Sequence, residues 1–318
     1  MLYRCSTMWR ADDRRFIFVT GKGGVGKTTV SAALGRALAA RGKRVLIAMC
    51  NAKERVSSMF ASEPVGPDIV PVAPGIWAVN IEPEHAFEEY GRMVLKVPGL
   101  YRVVFHNKYV RSFLPAVPGL AEWAMLGKAW FHTTEVAEDG RPRFDVVLFD
   151  APATGHGLDM LRVPKVIVEI VPPGMLRRDA ERAWKMFTDP KETAVLVVTL
   201  PEELPATETL ELIAAIDDDL RLPLGALVVN GVLPVLFSED EARELATVLG
   251  NGGGGAEPES TSGASGVRAA ARRAVQERAQ AASQARLVAG TDLPRIVLPY
   301  LFEDAAKPGA IEKLAAHF

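Results

Sequence analysis

Residues 21–29 read Gly21-Lys22-Gly23-Gly24-Val25-Gly26-Lys27-Thr28-Thr29. The phosphate-binding pattern G-x-x-x-x-G-K-[ST] falls on Gly21, Gly26, Lys27 and Thr28. Before it stands Phe16-Ile17-Phe18-Val19-Thr20, an apolar run of strand length; after it, Val30 to Ala40 is rich in Ala and Leu and helix-prone. Strand, glycine loop and helix are the context the motif requires. The glycines let backbone N–H groups converge on an anion, and the helix N-terminus adds partial positive charge. In this arrangement Lys27 reaches the β- and γ-phosphates of a nucleotide and the Thr28 hydroxyl ligates Mg²⁺.

Lys22, directly after the first glycine, makes the loop resemble the deviant Walker A pattern K-G-G-x-G-K-[ST]. That resemblance implies a lysine that crosses a dimer interface to the partner's nucleotide, in the way an arginine finger acts in trans.

The 318 residues are 48% hydrophobic and 24% charged, an ordinary globular balance with ample material for a core. Residues 1–318 are read as one large α/β domain. A net charge of −2 and a pI of ≈ 6.3 supply no basic field for nucleic acid or anionic lipid. No run approaches the ~20 apolar residues of a membrane helix, and Met1 to Arg15 has no apolar signal region. Cys5 and Cys50 are too few for a disulfide framework. A cytoplasmic protein without an integral membrane segment or a nucleic-acid partner is expected.

Strands are predicted at Val45 to Met49, Ile76 to Glu82, Phe144 to Asp150, Thr193 to Leu200 and Leu224 to Asn230. Helical patterns fill Pro205 to Leu220 and residues 83–143, the latter a helical subdomain between the second strand region and the Phe144–Asp150 strand. This alternation predicts a P-loop α/β fold, a mostly parallel sheet flanked by helices, with ligands at the carboxyl ends of the strands. Val163 to Val171 is ambiguous: its β-branched residues suit a strand, whereas Pro164 and the length suit a short helix. Residues 251–266 are Gly/Ser-rich and read as a flexible loop, and Val267 to Val288 as a long exposed helix with a solvated basic face.

Val146 to Asp150 has the Walker B form, apolar residues ending in an acid that holds Mg²⁺ through water. The following Ala151-Pro152-Ala153-Thr154-Gly155-His156-Gly157-Leu158 is a strand-to-helix turn suited to sensing a γ-phosphate. His156 reads as orienting that loop, with acid–base catalysis as the alternative.

With these pieces in place the chain resembles the ArsA-type ATPases, which include the arsenite-pump ATPase and the ATPase that targets tail-anchored membrane proteins. The resemblance covers nearly the whole chain. It rests on the Lys22-bearing loop, on Asp150 to Leu161, and on Ile81-Glu82-Pro83 leading to Glu88-Glu89-Tyr90. Pro118 to Glu122, Thr188-Asp189-Pro190 running into Val195 to Thr209, Val228-Val229-Asn230 and Leu298 to Phe318 complete it. It implies that Asn230 reads adenine, against the plain reading of a strand-end turn residue. It further implies that Glu202 lies near the nucleotide at a dimer interface, that Pro299 packs against adenine, and that Asp150, Thr154, Gly155 and His156 form a switch.

The chain also departs from the family. After the second strand the family carries Asp-Pro-Ala-His, whose Asp positions the attacking water; here the sequence is Cys50-Asn51-Ala52-Lys53. Asn51 can orient water but cannot take its proton, unless Glu54 supplies a base from a shifted loop. Clustered cysteines for arsenite and a C-x-x-C for zinc are not in the sequence, and residues 156–190 are short for a cap over a transmembrane client. Met93, Leu95, Leu100, Tyr101, Phe105, Phe113, Leu114, Trp123, Met125, Leu126, Trp130 and Phe131 suit either core packing or a smaller apolar groove. The expected protein is an ATP- and Mg²⁺-dependent dimeric switch, catalytic through Lys22, Lys27 and Asn51 and coupled to a client protein. A degenerate protomer paired with an active paralogue is the alternative, and a ParA/MinD-like positioning ATPase a more distant one.

Overall fold

The apolar segment Phe16–Thr20 is the buried strand β1. Phe16 and Phe18 point to one face of the sheet and Ile17 and Val19 to the other, as the two-residue period of a strand dictates. In the computed structural model, which describes residues 9, 11, 13–94, 119–152, 156–250 and 262–318, β1 lies inside an eight-stranded sheet. The other strands are β2 (Val45–Cys50), β3 (Val70–Ala73), β4 (Ile76–Ile81), β5 (Val146–Asp150), β6 (Thr193–Thr199), β7 (Leu224–Val232) and β8 (Arg295–Pro299). Their order is β3-β4-β2-β5-β1-β6-β7-β8, parallel throughout except for β3 against β4. The chain leaves β1 for β2 on one side and later adds β6 on the other, so the crevice outside the end of β1 is the topological switch point where ligands bind.

Helices cover both faces. On one lie α1 (Lys27–Ala40), α2 (Val56–Phe60) and the closing helix Pro308–Ala315, packed on Ile17, Val19, Ile47 and Leu148. On the other lie α3 (Pro83–Val94), α4 (Leu120–Phe131), α5 (His156–Ile170), α6 (Met175–Phe187) and α7 (Glu203–Ala215). A π-helical turn, Ile216–Leu220, ends α7. After β7 come α8 (Glu239–Gly250) and α9 (Ser262–Gly290), and Pro308–Ala315 is α10. The centre of the second face is aromatic: Phe16, Phe18 and Phe187 have ring centroids 4.8–5.0 Å apart, and Phe149 stands 5.7 Å from Phe18. Phe18→Ala opens a cavity there and is expected to cost about 3–5 kcal/mol, read as a lowered urea midpoint with an unchanged slope.

Several expectations need correction. β3 was not among the predicted strands; it contains Pro71, whose missing N–H is tolerated because β3 is at the sheet edge. β8, also unpredicted, is the opposite edge and only half buried. Of the ambiguous Val163–Val171, residues 163–170 are helical within α5 despite Pro164, because Met160, Val163 and Ile167 fall on one face and pack into the core. Residues 262–266 belong to α9 rather than to a loop, and residues 251–261 lie outside the described residues. Nor is α9 simply exposed: Ala271, Ala274, Glu277, Gln280, Ser283 and Leu287 form a buried stripe at helical spacing. Of the apolar residues expected in 83–143, Trp123, Met125 and Leu126 are core and Trp130 packs against it. Leu95, Leu100, Tyr101, Phe105, Phe113 and Leu114 lie outside the described residues. Among the described residues no helix is long and apolar enough to cross a membrane.

Candidate nucleotide site

The loop between β1 and α1 owes its path to its glycines. Gly21, Gly24 and Gly26 have φ of 148°, 80° and 90°, a region that side chains rarely enter. A Cβ on Gly21 would stand 2.3 Å from Val198 O on β6, and one on Gly26 2.3 Å from Asn230 Nδ2. Gly23 and Gly24 are exposed, whereas Val25 anchors the loop in the core. Lys27, Thr28 and Thr29 are the first residues of α1, so the helix N-terminus opens into the loop.

Lys27 is buried, and its Nζ donates to Gly21 O and Lys22 O, each at 3.0 Å. Burial lowers the pKa of its ammonium, while Asp150 opposes that shift. Asp150, 3% exposed at the tip of β5, accepts from Thr28 Oγ1 at 2.6 Å and from Ser31 Oγ at 3.4 Å. Burial pushes its carboxyl up to about 6, against the opposing pull of Thr28, Lys27 and Ser31. A buried acid joined to the P-loop threonine is the donor set that Mg²⁺ takes, and a glycine loop running into a helix N-terminus with a lysine is the donor set that phosphate takes; the chain's residues fit both. Mg²⁺ would supply charge neutralisation at the phosphates.

The carboxyl of Asp150 gives a pH test. Its folded pKa of about 6 lies above the ordinary 3.8, so its contribution to stability is fully present below pH 3.8 and lost as pH rises through 6. Asp150→Asn should therefore stabilise the chain without nucleotide or magnesium by up to about 3 kcal/mol above pH 7, with the two curves converging near pH 4. The same variant should lose at least about a hundredfold in turnover. Thermal midpoints across this pH range and phosphate release check the two halves separately.

The two residues expected at the position of the family's water-positioning Asp divide. Cys50 is buried in the core, and burial raises its thiol pKa well above the ordinary value, with Asp150 adding to the shift. Asn51 is exposed at the end of β2, with φ 43°, a conformation Asn tolerates. β2 pairs with β5 so that Met49 stands opposite Asp150, which brings Asn51 to the same rim as the acid. Glu54 is already engaged: its carboxylate accepts from Ser57 N at 2.8 Å and from Ser57 Oγ at 2.6 Å. Asn80 bonds Ala52 N and O through its side chain and so fixes the segment after Asn51.

Lys22 Nζ lies 3.3 Å from Glu208 Oε1 on α7, with a half-exposed side chain. A cavity of about 240 Å³ beside it is lined by Thr20, Gly21, Gly157 and Glu208. Asn230 Nδ2 donates to Val25 O at 2.9 Å, which seats it under the loop. Pro299 ends β8 beside Val232. Glu202 is exposed at the N-cap of α7 without a side-chain capping bond. Thr154 and Gly155 lie outside the described residues, and His156 is described only as the first residue of α5. Ser31, Asn80 and Glu208 were missed by sequence reasoning. Only Ser31 had a local signal, its position one helical turn beyond Thr28.

Residues 14–173 match the ArsA family of anion-transporting ATPases. The chain is 31% identical to the ATPase BagA of Mycobacterium tuberculosis over 73% of its own length and 69% of that protein. It is 30% identical to an arsenical pump-driving ATPase of Escherichia coli, over 74% of this chain and 42% of that protein. Identity to the ATPase ASNA1 homolog of Entamoeba dispar is 27%, over 70% of this chain and 77% of that protein. The chain thus belongs to the ArsA family, and its P-loop site is that of an ATPase.

Proposed function

We propose that the chain is a slow ATPase acting as a dimeric switch. Two copies, each holding ATP and Mg²⁺ at Lys27, Thr28 and Asp150, close face to face, and Lys22 of each reaches the other's phosphates. The observation that carries this reading is the place of Lys22. Its ammonium pairs with Glu208 on α7, and its side chain is half-exposed at the edge of the loop. An exposed ion pair of this kind is worth at most about 1 kcal/mol, so a partner's phosphate easily outcompetes it. Exposed apolar residues support the closing face. Leu204, Val235, Leu236, Tyr300 and Phe302 all follow the carboxyl ends of β6, β7 and β8.

Hydrolysis is slow because Asn51 replaces the base, and opening of the dimer transmits nucleotide state to a client protein. The exposure of Asn51 and the engagement of Glu54 favour a second reading. In it the chain is a degenerate protomer that binds ATP and pairs with an active paralogue. Sedimentation tests the dimer. With Mg²⁺ and a slowly hydrolysed ATP analogue the chain should shift from one copy to two, with ADP it should not, and Lys22→Ala should not shift with either. A single copy in every condition would overturn the homodimer.

A further inference from the structure

The buried stripe of α9 grips the segment that follows β7. Gln280, 5% exposed, accepts from Leu233 N–H through Oε1 at 2.8 Å and donates from Nε2 to Leu233 O at 3.1 Å. Glu277 Oε2 accepts from the N–H groups of Leu236 at 3.1 Å and Phe237 at 3.4 Å. Arg273 donates from Nε to Glu277 Oε1 at 2.7 Å and from a terminal nitrogen to Pro234 O at 2.6 Å, and its guanidinium lies 5.9 Å from the Phe302 ring centroid. Buried polar side chains on a helix face that would otherwise be apolar persist only where their partners are fixed, and here the partners are one short stretch of backbone.

That stretch runs to the P-loop without slack. Asn230, whose amide holds Val25 O, is separated from Leu233 only by Gly231 and Val232. Gly231 has φ 73°, and Val232 O accepts from Tyr300 N–H at 2.8 Å, which ties in the end of β8. A displacement of Leu233 therefore reaches both Asn230 and the Pro299–Tyr300 edge.

We propose that Gln280, Glu277 and Arg273 are positioning residues for the base of the nucleotide: by gripping residues 233–237 they set the place of Asn230 and Pro299, and hence the affinity for adenine as distinct from the phosphates. This rests on the reading that adenine sits between Asn230 and Pro299. Its ligand is a purine nucleotide, and its readout is the ratio of affinities for ATP and for inorganic tripolyphosphate, both measured by calorimetry with magnesium on the full chain.

Gln280→Met keeps the side chain's shape and removes both bonds. ATP should bind about tenfold more weakly, the size of one or two lost hydrogen bonds, while tripolyphosphate, which feels the change only through the Asn230–Val25 bond, weakens by clearly less, so that the ratio falls. Arg273→Met, which frees Pro234 O and Glu277, should move the ratio in the same direction and serves if Gln280→Met fails to fold. Asn230→Ala separates the proposal from the reading beneath it. If Asn230→Ala lowers the ratio and the α9 variants leave it unchanged, the positioning role is wrong and the adenine site stands. If Asn230→Ala also leaves it unchanged, adenine does not sit there and the proposal falls with that reading. Equal weakening of both ligands by the α9 variants would mark a purely structural role and overturn it as well.

Discussion

Asn51→Asp should raise steady-state ATP turnover by about 10²–10⁴-fold, the range that a positioned general base contributes. The sheet prepares the position. β2 ends beside β5 with Met49 opposite Asp150, so the residue after Cys50 emerges at the rim where the P-loop acid stands. Asp tolerates the left-handed backbone that Asn51 adopts, φ 43°, and the side chain is exposed, so the substitution neither strains the turn nor buries a charge. Asn80 holds Ala52 at both N and O, so the carboxylate is presented from a fixed segment. Glu54 cannot substitute while both its oxygens bond Ser57. Phosphate release by the two proteins, side by side, checks the expectation. No acceleration in Asn51→Asp would remove the base from the explanation and favour the degenerate-protomer reading.

In that accelerated background, Lys22→Ala should lower turnover by about 10³-fold or more, as loss of a charge supplied in trans to phosphoryl transfer does. ATP affinity of the single copy should change little. Within its own chain Lys22 contributes its carbonyl to Lys27, and its ammonium faces Glu208. The backbone contact survives the substitution and the exposed ion pair is worth little. A defect in turnover without a defect in single-copy binding is the signature of a trans lysine. A defect of equal size in both would place Lys22 at its own nucleotide.

The fold was legible where local pattern and tertiary burial agree. Phe16–Thr20, the glycine loop and the helix after it announce themselves within twenty-five residues, and the apolar Val146 to Asp150 ends in its acid as a buried strand should. The edge strands were not legible, because Pro71 and Pro299 contradict a strand locally and only the edge position excuses them. In the site, Lys27, Thr28 and Asp150 come together as their motifs require. Glu208 reaches Lys22, and Gln280 reaches Leu233 across 47 residues, only through the packing of α7 and α9. Glu277 shows the limit most plainly. In sequence it balances a run of arginines on a solvated helix; in the structure it is buried and caps a loop.

The most direct test of a switch completed between two copies is ATP turnover per protomer as a function of protein concentration, with Lys22→Ala alongside. For a trans lysine, turnover per protomer should climb with concentration and level off where sedimentation shows the dimer, while Lys22→Ala stays flat and low. Turnover per protomer that is constant across concentrations spanning the monomer and any dimer, and equal in Lys22→Ala, would contradict it.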